Sequence, residues 1–216
     1  PSVNKKTGNM IQIAIMPDTK KTIWDIIKGL DASSCCDCSL RPIHAKALKA
    51  KGKKPCYVNT AKAINKVHTV TIGKPTDKDY TRLDKEKAKG RAIRWGNWGE
   101  PALASKRLVE RVNHGAKGHT GYTHQYKKAW ARWCKKFFMA SIDIAPDSLK
   151  AAKNAWSKDW RTFRLIRSIE ELDSKNEILC PASKEAGNKT TCANCLLCDG
   201  KSSKADERKS IAIVQH

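Results

Sequence analysis

Acidic side chains are scarce in this chain. Asp and Glu number 21 against 43 Lys and Arg, which leaves a formal net charge of +22 over 216 residues. So cationic a surface favours a polyanionic partner, and nucleic acid is the commonest one. The excess is mostly lysine, scattered along the chain, and an ammonium is a point charge rather than a base-reading fork. Contacts are therefore expected with the nucleic-acid backbone rather than with sequence. Long apolar runs are also missing: no stretch of about 18 residues would span a bilayer. The start, Pro1 to Lys6, is polar and basic, so no signal peptide is expected and the chain reads as cytoplasmic. No Walker loop, G-x-S-x-G or H-E-x-x-H occurs, which sets aside the commonest nucleotide-hydrolysing, serine-hydrolase and zinc-protease signatures.

Cysteine, by contrast, is plentiful. Nine cysteines lie in clusters, and thiols kept reduced in a cytoplasm usually serve metal or redox chemistry. The strongest signal is Cys180-x11-Cys192-x2-Cys195-x2-Cys198. Thiolates are soft ligands suited to zinc or iron–sulfur clusters. Zinc sites generally use two separated C-x2-C knuckles. A tight C-x2-C-x2-C triplet with a remote fourth cysteine instead suits a cuboidal [4Fe–4S] cluster, which is the favoured reading, with Zn2+ as the alternative. Thr190, Thr191, Asn194 and Gly200 are turn-formers, as a ligand loop requires. A second group, Cys35, Cys38 and Cys56, offers three ligands. Either His44 completes a Cys3His zinc site, or the group joins the other centre, or a cluster keeps one iron open. Cys36 reads as a spare and Cys134 as core.

The pattern along the chain is α/β. Apolar runs predict strands at Met10–Met16, Arg91–Gly96, Thr120–Gln125, Phe138–Ile144, Thr162–Ile166, Glu177–Cys180 and Ser210–Val214. Helices are expected at Thr22–Leu30, Thr60–Val67, Ala104–Asn113, Lys127–Lys136 (with Trp130, Trp133 and Cys134 at helical spacing) and from Pro146 to about Trp156. Thr69–Lys89 reads as loop. The alternation predicts one α/β domain over 1–216 with mainly parallel strands and Cys-rich loops at 31–59 and 180–200. A complete or partial (β/α) barrel is the first choice and an open doubly wound sheet the second. Functional residues are then expected past the strands' C-terminal ends, at Asn97–Glu100, His124–Gln125, Asp143 and Cys180. His124 is a candidate general acid/base. Asp143 could hold a ribose or a proton, or cap a helix. Arg161 and Arg164 could meet phosphate, with a surface role as the default, and Trp95 and Trp98 could stack on a base or serve the core.

Two resemblances add to this. Arg94-Trp95-Gly96-Asn97-Trp98-Gly99-Glu100-Pro101 resembles the Gly-Gly-Glu-Pro turn of radical S-adenosylmethionine enzymes, and the order strand, three cysteines, helix, strand, Gly-Glu-Pro agrees. That family carries C-x3-C-x2-C in one short loop, whereas 17 residues separate Cys38 from Cys56 here. The resemblance implies that Cys35, Cys38 and Cys56 hold a catalytic cluster and that Gly96, Gly99, Glu100 and Pro101 bind S-adenosylmethionine. The C-terminal quartet would hold an auxiliary cluster. Across most of the chain, Lys6–Met10, Cys56–Asn59, Gly121–His124, Trp160–Arg164, Cys180–Ser183 and Ser210–Val214 are similar to an uncharacterised protein family carried by bacteriophages and plasmids. That implies a mobile element and the host cytoplasm, and no reaction. The two functions expected are a radical-S-adenosylmethionine-like enzyme acting on nucleic acid or nucleotides, and a zinc-stabilised basic nucleic-acid-binding protein without catalysis.

Overall fold

A computed structural model of the chain describes residues 5–16, 23–50, 56 and 76–215. All strand pairs among the described residues are parallel. Strands β1 (Ile11–Ile13), β2 (Ile93–Trp95) and β3 (His119–Thr120) form one sheet in that order. β4 (Tyr122–Thr123), β5 (Met139–Ile142), β6 (Thr162–Ile166), β7 (Glu177–Leu179) and β8 (Ser210–Val214) form the other, in the order β4-β5-β6-β8-β7. The predicted strand at Thr120–Gln125 is thus split. Gly121 carries the chain from one sheet to the next, because a Cβ there would stand 2.6 Å from the Phe138 ring and 3.0 Å from Trp95 Cβ. The α/β class and the parallel direction match expectation. Among the described residues β1 and β7 are edges that do not pair with each other, so the sheet is open and no barrel is closed.

Side chains alternate across the sheet, as a period of two requires. Ile93, Trp95, Ala140 and Ile142 face one way. They pack on Val109 and Val112 of α5 (Lys106–Asn113), on Ala131 and Cys134, and on Ala152 and Ala155 of α6 (Ser148–Trp156). Tyr122, Met139, Phe163, Leu165, Ile178, Ile211 and Ile213 face the other way, and there the cover includes Cys180, Ala182, Cys192, Leu197 and Cys198. Helices therefore pad one face, and the C-terminal cysteine loop lies on the other.

Two elements differ from expectation. Within Thr69–Lys89, residues Asp77–Ala88 form a helix (α4), preceded along the chain by α1 (Ile23–Ile27), α2 (Ala32–Cys35) and α3 (Ala45–Ala50). Its only apolar inward residue is Leu83, so it carries no stripe for periodicity to detect. A capping box between Thr76 and Asp79 starts it, and Arg111 pairs with Asp84 across the helix interface at 2.8 Å. The second is Ala129–Lys136, a 3-10 helix rather than an α-helix. At three residues per turn Ala131 and Cys134 align on the core face, and Trp130 is left 48% exposed. The helix expected at Thr60–Val67 lies outside the described residues.

Candidate metal and strand-end site

The first thiol group is built by one short loop. The fork of Arg41 binds Asp31 Oδ1 through Nε at 2.9 Å and Nη2 at 2.7 Å, and Nη1 reaches the Cys36 carbonyl at 2.9 Å. This cross-brace holds residues 31–41 in a single turn, with Asp31 buried beneath it. Cys35 ends α2, its amide on the Asp31 carbonyl, and the Cys38 amide returns to the Cys35 carbonyl. Cys56 enters from far along the chain through its amide on the Leu40 carbonyl at 2.8 Å. Cys36 takes a positive φ of 52°, and the charges that act on it are those of Glu100, Asp37, Arg41 and Lys128.

Burial pushes the Cys35 thiol up to about 12, helped by the nearby Asp31 carboxylate and by Cys56. Cys38 likewise rises to about 12, mainly by burial, with Asp143, Cys56 and Cys35 adding to it. As thiolates the three sulfurs would feel one another's charge. His44 stands exposed at the end of the 3-10 turn Pro42–His44.

The same loop meets the C-terminal ends of three strands. Past β2 the chain turns through Gly96 and Gly99, both at positive φ. A Cβ on Gly99 would lie 2.0 Å from the Ile15 carbonyl oxygen, so this glycine is required by close packing against the end of β1. Glu100 follows, 3% exposed, its amide on the Ser34 carbonyl at 2.7 Å. Its carboxylate accepts the Ala102 amide at 3.0 Å and the His124 amide at 3.0 Å. Past β4, His124 Nε2 faces Asp143 Oδ1 at 3.3 Å, and Ser39 Oγ donates to Asp143 Oδ2 at 3.1 Å. Glu100, His124 and Asp143 thus converge with the cysteine loop. Ser39 and Arg41 complete the arrangement, and neither carries a motif that the sequence could have flagged.

Burial of the His124 ring works against its charged form, but Asp143, with Glu100 behind it, outweighs that and raises the pKa above the ordinary imidazole value. The folded value exceeds the unfolded one. The resulting stabilisation is therefore complete below the unfolded pKa and is lost as pH rises through the folded one. Asp143→Asn should return His124 to or below its ordinary value, followed by NMR titration of the ring protons. The stability difference from the native chain should be largest on the acid side. An unchanged titration would mean that Asp143 does not hold the proton.

The second thiol group lies on the face opposite α5 and α6. Cys180 follows β7, Cys192 and Cys195 bracket the one-turn helix α7 (Cys192–Cys195), and Leu196 then reverses the chain at φ 54° to place Cys198. The amides of Cys192 and Ala193 bond to the carbonyls of Lys6 and Thr7, so the N-terminal segment straps the loop down. Gly121 donates to the Cys198 carbonyl at 2.9 Å. All four cysteines line one small pocket with Thr120, Pro181, Leu197 and Ile211. Burial pushes Cys180, Cys192 and Cys198 upward, the Tyr122 hydroxyl contacts Cys198, and the charges of Lys6 and Arg94 favour the Cys192 thiolate. None of the nine cysteines, all of them among the described residues, is in a disulfide. Among the described residues no three His, Cys, Asp or Glu side chains stand in a metal-holding arrangement as placed. By donor chemistry alone both groups are of the soft kind: three thiols that feel one another's charge in one case and four around one pocket in the other. A bound cation would favour the thiolates that burial disfavours.

The reading of two arginines is corrected. Arg161 and Arg164 are buried: Arg161 bonds Asp199 and the Lys209 carbonyl, and Arg164 bonds Glu177, so neither has the surface role expected by default. Trp95 and Trp98 are core, with the Trp95 indole N–H on Asn113 Oδ1 at 2.8 Å. Cys134 is buried in the core, as expected. No helix among the described residues is long and apolar enough to cross a membrane.

Fold and site together define an open, parallel α/β protein with a thiol-lined loop at one sheet end and a four-thiol pocket on one sheet face. Neither a protein-family model, nor a curated protein, nor a solved structure matches the chain.

Proposed function

We propose that this chain is an iron–sulfur protein of the radical-S-adenosylmethionine-like kind, acting on nucleic acid or a nucleotide in the cytoplasm of a host cell. In this reading the parallel sheet is a partial (β/α) barrel. The observation that carries it is the meeting of Cys35, Cys38 and Cys56 with Glu100, His124 and Asp143 past β2, β4 and β5. Three thiols would hold a [4Fe–4S] cluster and leave one iron without a protein ligand. Such a cluster, once reduced, supplies an electron to a bound sulfonium. Glu100 keeps a second lone pair on each carboxylate oxygen and would accept from the methionine amino group. Gly96 and Pro101 would frame that turn, with Gly99 already committed to Ile15. His124, poised by Asp143, would hold or move a proton beside the substrate. Cys180, Cys192, Cys195 and Cys198 would hold an auxiliary cluster, and the cationic surface would hold phosphate.

The test is an oxygen-free preparation analysed for iron, sulfide and zinc, with visible and EPR spectra. A brown protein with more than four irons per chain is expected, given two clusters of about four irons each. Its reduced EPR signal should change when S-adenosylmethionine is added, and 5′-deoxyadenosine should accumulate with dithionite. A colourless protein holding zinc alone would end the enzyme reading. It would favour the basic, zinc-stabilised nucleic-acid binder, whose four-thiol pocket meets a tetrahedral ion equally well.

A further inference from the structure

The tryptophans singled out by their motif, Trp95 and Trp98, are buried, whereas Trp130 is 48% exposed. One half-exposed indole gains meaning from what surrounds it. Lys127, Lys128, Arg132 and Lys136 are all exposed around it, and from His124 to Ile142 the chain contains no Asp or Glu. Within the 3-10 helix Ala129–Lys136, Trp130 and Lys136 fall on one three-residue row with the half-buried Trp133, so indole and cation share one side, and the exposed Lys127 and Lys128 lie in the turn just before it. Carboxylates from elsewhere reach only part of the patch: Asp37 on Lys128 at 2.7 Å, and Glu110 on Lys136 at 3.9 Å.

The position matters as much as the charge. The segment begins immediately after His124. The Lys128–Asp37 pair ties it to the residue between Cys36 and Cys38. The turn Pro101–Leu103, which follows Glu100, packs against Ala129–Lys136 and exposes Leu103 beside it. A polyanion with flat apolar faces at regular intervals would satisfy both features, and a duplex would not, because its bases are already stacked on one another.

We propose that Trp130, with Lys127, Arg132 and Lys136, is a stacking platform that docks single-stranded nucleic acid and leads it to the strand-end site. As a statement about substrate this rests on the proposed function, but the binding itself does not require it. The platform predicts tolerance of sequence and steep dependence on salt.

The test uses the full chain prepared without oxygen, with fluorescence anisotropy of a labelled 12-nucleotide oligo(dT) and of a duplex of equal length. Trp130→Ala should weaken strand binding about 10-fold, while duplex binding changes less than about 2-fold, and Trp130→Phe should restore most of the loss. Replacing Lys127, Arg132 and Lys136 by Gln should make the salt slope shallower by about 2. Circular dichroism checks that each variant is folded. Unchanged strand affinity in a folded Trp130→Ala, or an equal loss on strand and duplex, would overturn the platform. So would a loss seen on anionic vesicles or in self-association but not on the strand. Metal content is read on the same samples. An iron-free protein whose strand binding still depends on Trp130 would remove the enzyme and keep the platform, and a brown protein indifferent to Trp130→Ala would do the opposite.

Discussion

Cys192→Ala should strip one of the two proposed metal centres from the chain and leave the other, while Cys56→Ala does the reverse. The two thiol groups have separate scaffolds. Cys35, Cys38 and Cys56 are placed by the Arg41 fork and the Leu40 carbonyl. Cys180, Cys192, Cys195 and Cys198 are placed by the Lys6–Thr7 strap and by Gly121. The electrostatic neighbours of Cys198 are the other three members of its own set, not the distant group. Losing the proposed C-terminal centre should also cost stability, because the loop it would close covers Tyr122, Phe163 and Ile211 on the face opposite α5 and α6. Loss of a structural metal belongs among the largest single-residue effects, more than about 4 kcal/mol. For a chain of this size that corresponds to a drop in Tm of roughly 10 °C. Metal analysis and thermal unfolding of both variants without oxygen decide the matter. If either substitution cleared all metal, the two groups would be one centre. If neither changed metal content, the thiols would be structural.

The second large effect is expected far from any cysteine. Arg164 and Glu177 face each other with side-chain exposures of 1% and 0%. Arg164 Nε donates to Glu177 Oε1 at 2.8 Å and Nη2 donates to Oε2 at 2.6 Å, a paired fork between β6 and the start of β7. The guanidinium also reaches Ser148 Oγ and the Glu171 carbonyl, and the Asp173 amide binds the same carboxylate. Arg164→Ala would leave Glu177 buried without its partner, at a cost of about 3–5 kcal/mol. The double change Arg164→Met with Glu177→Leu should recover most of that, because replacing both charges removes their desolvation along with their attraction. Urea unfolding of the two variants measures the difference. A stable Arg164→Ala that had lost affinity for phosphate would instead return the arginine to a ligand-binding role.

How much of this was legible beforehand follows from the physics of each element. β6 and β8 were readable to the residue at Thr162–Ile166 and Ser210–Val214, because alternating or fully apolar short runs have few other solutions. The helix α4 was not, since it is held by the Thr76–Asp79 cap and the Asp84–Arg111 pair rather than by an apolar stripe. Trp130 was misread because a period of 3.6 was assumed where the chain takes 3.0. Arg164 gave no sign of burial, as its partner Glu177 lies 13 residues away on another strand.

Composition and spacing by themselves determined the α/β class, the parallel direction, the cationic surface and the two groups of soft donors. These depend on local periodicity and on ligand chemistry, which a linear chain carries in full. The tertiary structure alone decided that the Cys56 amide docks on the Leu40 carbonyl, and that Glu100, His124 and Asp143 meet beside the first thiol group. It alone placed the C-terminal quartet on the face opposite the helices and left Trp130 in water. Each of these is a meeting of distant segments, governed by sheet order and by which face each residue occupies, and no local pattern encodes that.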